Sequence, residues 1–280
     1  RVIRGALELG ADEPITCGPL SEIRRLDAPD ARIESLGGIE SLVNLEELYV
    51  YGNNSITDVA PLRGLPRLSD LNLARNAVED AGPLGEIVTL TSLSLYGNPV
   101  RDIAPLSGLT RLQRLNLESV PGLEDLTPLR HLTSLTRLEV GGTSVTDLAP
   151  LSELYGLTRL SLRGAGELTD LEPLRLLTRL ETLLLGGTSV EDIGALAGLR
   201  SLTALGLDGT RVRNLGPLIG LERLTRLDLR GNRQLTDIQP LLFNTGLGSG
   251  DAVRLERTGV SCADLSLLRT NGVTVFGNCE

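Results

Sequence analysis

The sequence has no tryptophan, no methionine and no lysine, and only four tyrosines and two phenylalanines. An ordinary globular enzyme fills its core with bulky aromatic side chains, so so low an aromatic content argues against one. No run approaches 18 consecutive apolar residues, so no segment reads as a membrane-spanning helix. A single histidine, His131, leaves almost nothing from which to build a catalytic triad. It sits in Arg130-His131-Leu132, and no serine or cysteine stands beside it. Phosphate loops, dinucleotide fingerprints and Cys/His metal spacings are all missing. The net charge of −9 disfavours binding to a phosphate backbone. These absences predict no enzyme, no cofactor, no metal and no nucleic-acid partner.

What the chain does have is leucine, 62 residues of 280. The leucines repeat. A pattern of leucine, two residues, leucine, one residue, leucine starts at positions 45, 68, 90, 112, 135, 157, 180, 202 and 224, a spacing of 22 or 23 residues. Weaker copies at Ile23-Leu26-Ala28 and Val253-Leu255 make eleven turns. Alternation such as Leu48-Tyr49-Val50 reads as a short strand with one inward face. A single such strand cannot bury its leucines alone, but stacked turns bury them continuously in a parallel sheet.

Two polar columns accompany the leucines. Three positions after each triplet stand Asn53, Asn76, Asn98 and Asn232, where an amide can satisfy backbone groups of neighbouring turns. Thr143, Thr188, Thr210 and Thr258 offer one hydroxyl at the same place. Val120 and Ala165 offer nothing, in repeats one residue longer, which predicts a rearranged loop. The second column is acid, apolar, any residue, proline, leucine, as in Asp58-Val59-Ala60-Pro61-Leu62. It recurs at Asp80, Asp102, Asp125, Asp147, Asp170 and Asp237; Asp192 keeps the acid without the proline, Asn214 keeps Pro217 without the acid, and the position takes eight of the 14 prolines. An Asp that accepts backbone N–H groups, with proline in the first turn, predicts short helical turns on the outer side. A calcium ladder is the alternative, but the acids lie a repeat apart and calcium needs six to eight converging oxygens.

These leucines and asparagines resemble the leucine-rich repeat family, in the bacterial 22-residue class of the internalins. The resemblance implies an α/β fold: a curved, right-handed solenoid with a parallel sheet on its concave face and 3₁₀ turns on its convex face. It implies a helical N-terminal cap over residues 1–22, repeats over 23–246 and a C-terminal cap over 247–280, with no room for the immunoglobulin-like domain that follows internalin repeats. It also implies a bacterial protein that is secreted, at the cell surface or periplasmic, and the missing initiator Met suggests a trimmed chain.

Three cysteines remain. A helix over Ala263 to Arg269 and a returning strand over Val273 to Phe276 would bring Cys262 and Cys279 together as a disulfide, with two free thiols as the alternative. Eleven turns at about 4.8 Å put Cys17 about 50 Å from both, beyond bridging within a monomer.

The strand positions that flank the inward leucines form the concave face, where eight acids balance eight arginines. Tyr49, Tyr51 and Tyr96 fall on it, and tyrosine suits binding hot spots. Arg114, Arg137 and Arg159 share a column, with Arg163 nearby; Glu118 and Glu139 are the expected counter-charges. Leu184, Gly186, Ala204 and Gly206 form a patch of low polarity. The predicted function is a monomeric recognition module that grips a protein partner with these tyrosines and arginines. The alternatives are a carbohydrate or cell-wall binder and a structural assembly subunit.

Overall fold

The computed structural model describes residues 20–277. They fall into two compact units, one ending at Leu135 and one starting at Thr136. Unit 1 carries five strands: β1 Arg25–Asp27, β2 Glu47–Tyr49, β3 Asp70–Asn72, β4 Ser92–Ser94 and β5 Arg114–Asn116. Each pairs in parallel with the next, and the repeat spacing sets the register: Leu26 lies against Leu48, Leu48 against Leu71, Leu71 against Leu93, and Leu93 against Leu115. Unit 2 carries seven: β6 Arg137–Glu139, β7 Arg159–Ser161, β8 Thr182–Leu184, β9 Ala204–Gly206, β10 Arg226–Asp228, β11 Ala252–Arg254 and β12 Thr274–Phe276. These too are parallel and in register. Both units are curved leucine-rich repeat solenoid, as the periodicity requires. The last strand differs from the expectation of eleven turns: β12 does not merely return beneath the cap but adds a further parallel rung on β11.

The central leucine of each of the strands β1 to β10 faces inward and is nearly without solvent contact, Leu48 and Leu71 at 0% exposure and Leu115 at 1%. Opposite the strands run 3₁₀ turns, for example Ala60–Leu62 in unit 1 and Ala149–Leu151 in unit 2. The acid column acts through an Asx turn. Asp58 Oδ1 accepts from the Ala60 N–H at 2.8 Å, and the same bond recurs from Asp80 to Asp237, with Asn214 standing in for one acid. The acid therefore stands one residue before the helix cap rather than at it, and fixes the bend into the turn. In the last repeat this turn lengthens into the helix α1 Gln239–Phe243. The helix α2 Cys262–Thr270 and the strand β12 match the elements expected of the C-terminal cap. Cys262 is exposed at the start of α2. Cys279 and Cys17 lie outside the described residues, as does nearly all of the expected N-terminal cap, so the Cys262–Cys279 pairing does too.

The asparagines behave as ladder rungs. Asn98 Nδ2 donates to the Leu73 and Leu95 carbonyls, and its Oδ1 accepts from the Val78 N–H at 3.0 Å. Asn53 does the same with Ala28, Val50 and Ile33. Asn76 makes the two donations, to Val50 and Leu73, but its buried Oδ1 has no partner. The threonines are weaker substitutes: Thr143 and Thr188 reach the carbonyl of their own strand end, Val140 and Leu185. The loops at Val120 and Ala165 are rearranged, with Leu123 and Leu168 donating back to those carbonyls at 3.1 Å. The equally long Asn232 loop closes the same way through Leu235, whereas the equally long Asn53 loop closes through Ser55.

A further column was not foreseen. Three residues after each of the strands β1 to β11 the backbone is left-handed. Glycine fills this place at Gly52, Gly97, Gly142, Gly164, Gly187, Gly209 and Gly231, while Asp30, Arg75, Ser119 and Arg257 hold it with a Cβ, at φ between 51° and 60°. An L-residue there costs about 1–2 kcal/mol, and the extra unfolded-state freedom of glycine takes part of that back. Ser119→Gly is therefore expected to stabilise the protein by about 0.5–1 kcal/mol in urea unfolding; a loss of stability would mean that the Ser119 side chain compensates the strain. Leu117→Ala or Leu138→Ala, each at a position with 0% exposure, is expected to cost about 2–5 kcal/mol. A change below about 0.5 kcal/mol at both would contradict the inward assignment.

Candidate functional site

Because the strand centres point inward, the residues on either side of them are offered to solvent in columns. Tyr49 ends β2, and Tyr51 follows it two residues on. Tyr96 stands two residues past β4. The register places Ala74 between Tyr51 and Tyr96 in one column, so two rings flank a methyl group. Unit 1 thus gathers all three tyrosines on the open face of its sheet. Tyr51 is 39% exposed, and the other two are half-buried.

Arginines hold two of these rings. The Arg25 guanidinium lies over the Tyr49 ring, 4.8 Å from its centroid, and that of Arg75 lies over Tyr96 at 5.6 Å. Both are within the range of cation–π attraction. Arg25 is itself held by Asp27 at 2.8 Å and Glu47 at 2.9 Å. The Tyr49 hydroxyl donates to Glu47 at 3.3 Å. Burial pushes the Tyr49 phenol up to about 12, and the nearby Asp70 and Glu47 carboxylates add to the shift. Neither Arg25 nor Arg75 was singled out by sequence reasoning. Their signal lay in the register, since Arg25 is one strand over and two residues back from Tyr49.

Of the two acids expected to neutralise the arginines, Glu139 does so and Glu118 does not. In unit 1 the Arg114 side chain crosses β4, donates to Ser92 Oγ at 3.4 Å and reaches Asp70 on β3 at 3.0 Å. Glu118, the expected counter-charge, forms no ion pair among the described residues. In unit 2 Arg159 does pair with Glu139, at 3.2 Å, and Arg163 reaches across two strands to Asp208 at 2.8 Å. Arg137 is exposed and forms no ion pair among the described residues. Partly exposed pairs of this kind contribute about 0–1 kcal/mol each, so they orient the guanidinium groups more than they hold the fold together. The low-polarity patch is partly occupied: the Asp208 carboxylate lies against Gly186, where a Cβ would collide with it.

His131 is exposed beyond the turn Thr127–Leu129. Among the described residues, no three His, Cys, Asp or Glu side chains gather as a metal site, and no helix is long and apolar enough to cross a membrane.

Models of leucine-rich repeats match residues 43–86 and 88–131. The chain is similar to an internalin from Listeria monocytogenes, InlF, with 28% identity over 99% of this chain and 89% of that one, at a TM-score of 0.82. It is also similar in fold to the functional domain of InlJ from the same organism, at 21% identity and a TM-score of 0.66 over 99% of this chain and 68% of that one. A second internalin, InlC2, matches at 23% identity and a TM-score of 0.53 over 98% of this chain and 90% of that one. No curated protein matches the sequence.

The raised Tyr49 value is open to measurement. A phenol whose folded pKa exceeds its unfolded value of about 10 favours the fold below that value, and the contribution is lost as pH rises through about 12. Subtracting the alkaline absorbance titration of Tyr49→Phe from that of the parent should leave one phenol ionising near 12. A difference curve centred near 10 would mean that the ring is neither buried nor held beside acids.

Proposed function

We propose that this chain, which is similar to internalins and carries a fold generally used for protein interaction, is a non-enzymatic recognition module whose protein partner docks on the open face of the strands. Tyr49, Tyr51 and Tyr96 are the anchors on unit 1, with Arg114 beside them. Arg137, Arg159 and Arg163 are charge-reading positions on unit 2. One observation carries the reading: three of the chain's four tyrosines share a face otherwise made of small and charged side chains. Tyrosine supplies large contact area for few rotatable bonds, and its polar tip tolerates water before the partner arrives. The rings of Tyr49 and Tyr96 are already oriented by Arg25 and Arg75, which lowers the ordering cost of binding. The same guanidinium groups occupy one face of each ring, the face on which a sugar would stack, so protein is preferred to carbohydrate. The likeness to internalins supports export, to the cell surface or the medium.

The test is capture of envelope and host proteins by immobilised parent and by Tyr49→Ala/Tyr51→Ala/Tyr96→Ala, with a glycan array alongside. Loss of each anchoring ring should cost about 2 kcal/mol, so the triple variant should lose the captured protein. Arg137→Glu should mainly slow association and change its salt dependence. Equal capture by parent and triple variant, or binding on the glycan array alone, would contradict this reading.

A further inference from the structure

The open face of unit 2 contains a groove of about 490 Å³. Its floor is β8 and β9, where Leu184, Ala204 and Gly206 present little polarity. The floor is close-fitting: a Cβ on Gly206 would come within 3.2 Å of the Leu184 side chain. Arg159 and Arg163 rise on one flank, and Arg226, Arg254 and Phe276 on the other.

The two flanks differ in charge balance. Arg159 and Arg163 are engaged with Glu139 and Asp208. Asp228, the acid within the groove, is gripped by Arg230, whose Nε lies 2.9 Å from Oδ1 and Nη2 2.6 Å from Oδ2. Glu256, two residues past Arg254, forms no ion pair among the described residues and has one carboxylate oxygen buried, so neither acid is paired with the other flank. Arg226 is exposed and forms no ion pair among the described residues. Arg254 lies over the Phe276 ring at 5.4 Å and likewise pairs with no carboxylate. Register sets Arg226 against Ala252 and Asp228 against Arg254, so the two arginines are diagonal neighbours, about 7–8 Å apart at their Cα atoms. The groove thus combines an apolar floor with two guanidinium groups that form no ion pair among the described residues.

We propose that this groove binds an acidic protein segment, with an aliphatic side chain on Leu184, Ala204 and Gly206 and flanking carboxylates on Arg226 and Arg254. A guanidinium accepts a carboxylate through two parallel hydrogen bonds. A free phosphate would leave the floor unused, and neither a nucleic acid nor the headgroup plane of a bilayer presents an aliphatic side chain to it. The proposal rests on the reading of the strand face as the binding surface, but places the contact on residues outside the tyrosine anchors.

The probe is a fluorescein-labelled octapeptide in which two glutamates flank a leucine between glycine–serine ends. Two control peptides replace both glutamates by glutamine or the leucine by serine. Anisotropy should show saturable binding to the full chain that weakens with salt. Arg226→Gln/Arg254→Gln, at two exposed positions, should weaken it at least about tenfold. Ala204→Tyr, which fills the floor, should weaken it comparably, and so should either change in the peptide. Tyr49→Ala/Tyr51→Ala/Tyr96→Ala should bind the octapeptide like the parent, so the outcome here is independent of the tyrosine test. No saturable binding, equal binding by the arginine variant, equal binding of either control peptide, or full displacement by inorganic phosphate at the concentration of the peptide would each overturn the proposal.

Discussion

No repeat in this chain can bury its own leucines. A three-residue strand and a 3₁₀ turn enclose too little volume, so each turn depends on a neighbour to cover Leu71 or Leu160 and to receive its backbone hydrogen bonds. Everything else follows from that dependence. Strands stacked in register give the leucine column. The polar groups trapped between turns must be satisfied, which places asparagine or threonine at one position. The chain must then bend away from the strand, through a left-handed residue, and bend again into the outer turn, where an aspartate holds the amide two residues on. The outward side chains carry none of these duties. That freedom is what makes the strand face available for recognition.

The two units use that freedom differently. Unit 1 gathers aromatic area, with Tyr49 and Tyr96 held under arginines. Unit 2 has no tyrosine on its strands, and instead frames an apolar floor with guanidinium groups. The acid excess sits mainly in the Asp column on the opposite side, so the net charge of −9 does not describe the binding face.

Much of the fold was legible because inward positions recur. Leu48, Leu71 and Leu93 repeat in type as well as in spacing, and so do Asn53, Asn76 and Asn98. The left-handed column escaped notice because it tolerates Arg75 and Ser119 as well as glycine, so its signature is a φ angle rather than a residue type. The site was only partly legible. Spacing located Tyr49, Tyr51 and Tyr96 on one face, but not which side chain would lie over each ring. It also offered Glu118 among the counter-charges of the arginine column, but not Asp70, which Arg114 reaches. A long arginine can pass over a neighbouring strand, so its partner depends on rotamer and on the small side chain of Ser92 between them. The groove at Arg226 and Arg254 was missed for a related reason: it arises from which acids are already engaged, a property of the assembled face rather than of any one column.

The most direct test of the account is the unfolding free energy of Asn98→Ala. If the polar ladder between turns is what permits continuous stacking, this substitution removes one of two donors from each of the Leu73 and Leu95 carbonyls and strips the Val78 amide of its partner, in a site with 1% exposure. The account predicts a loss of about 3 kcal/mol or more, with accelerated amide exchange confined to the loops around residues 73–78 and 95–98. A loss below about 0.5 kcal/mol, with exchange unchanged there, would contradict it, and would mean that leucine burial alone orders the turns.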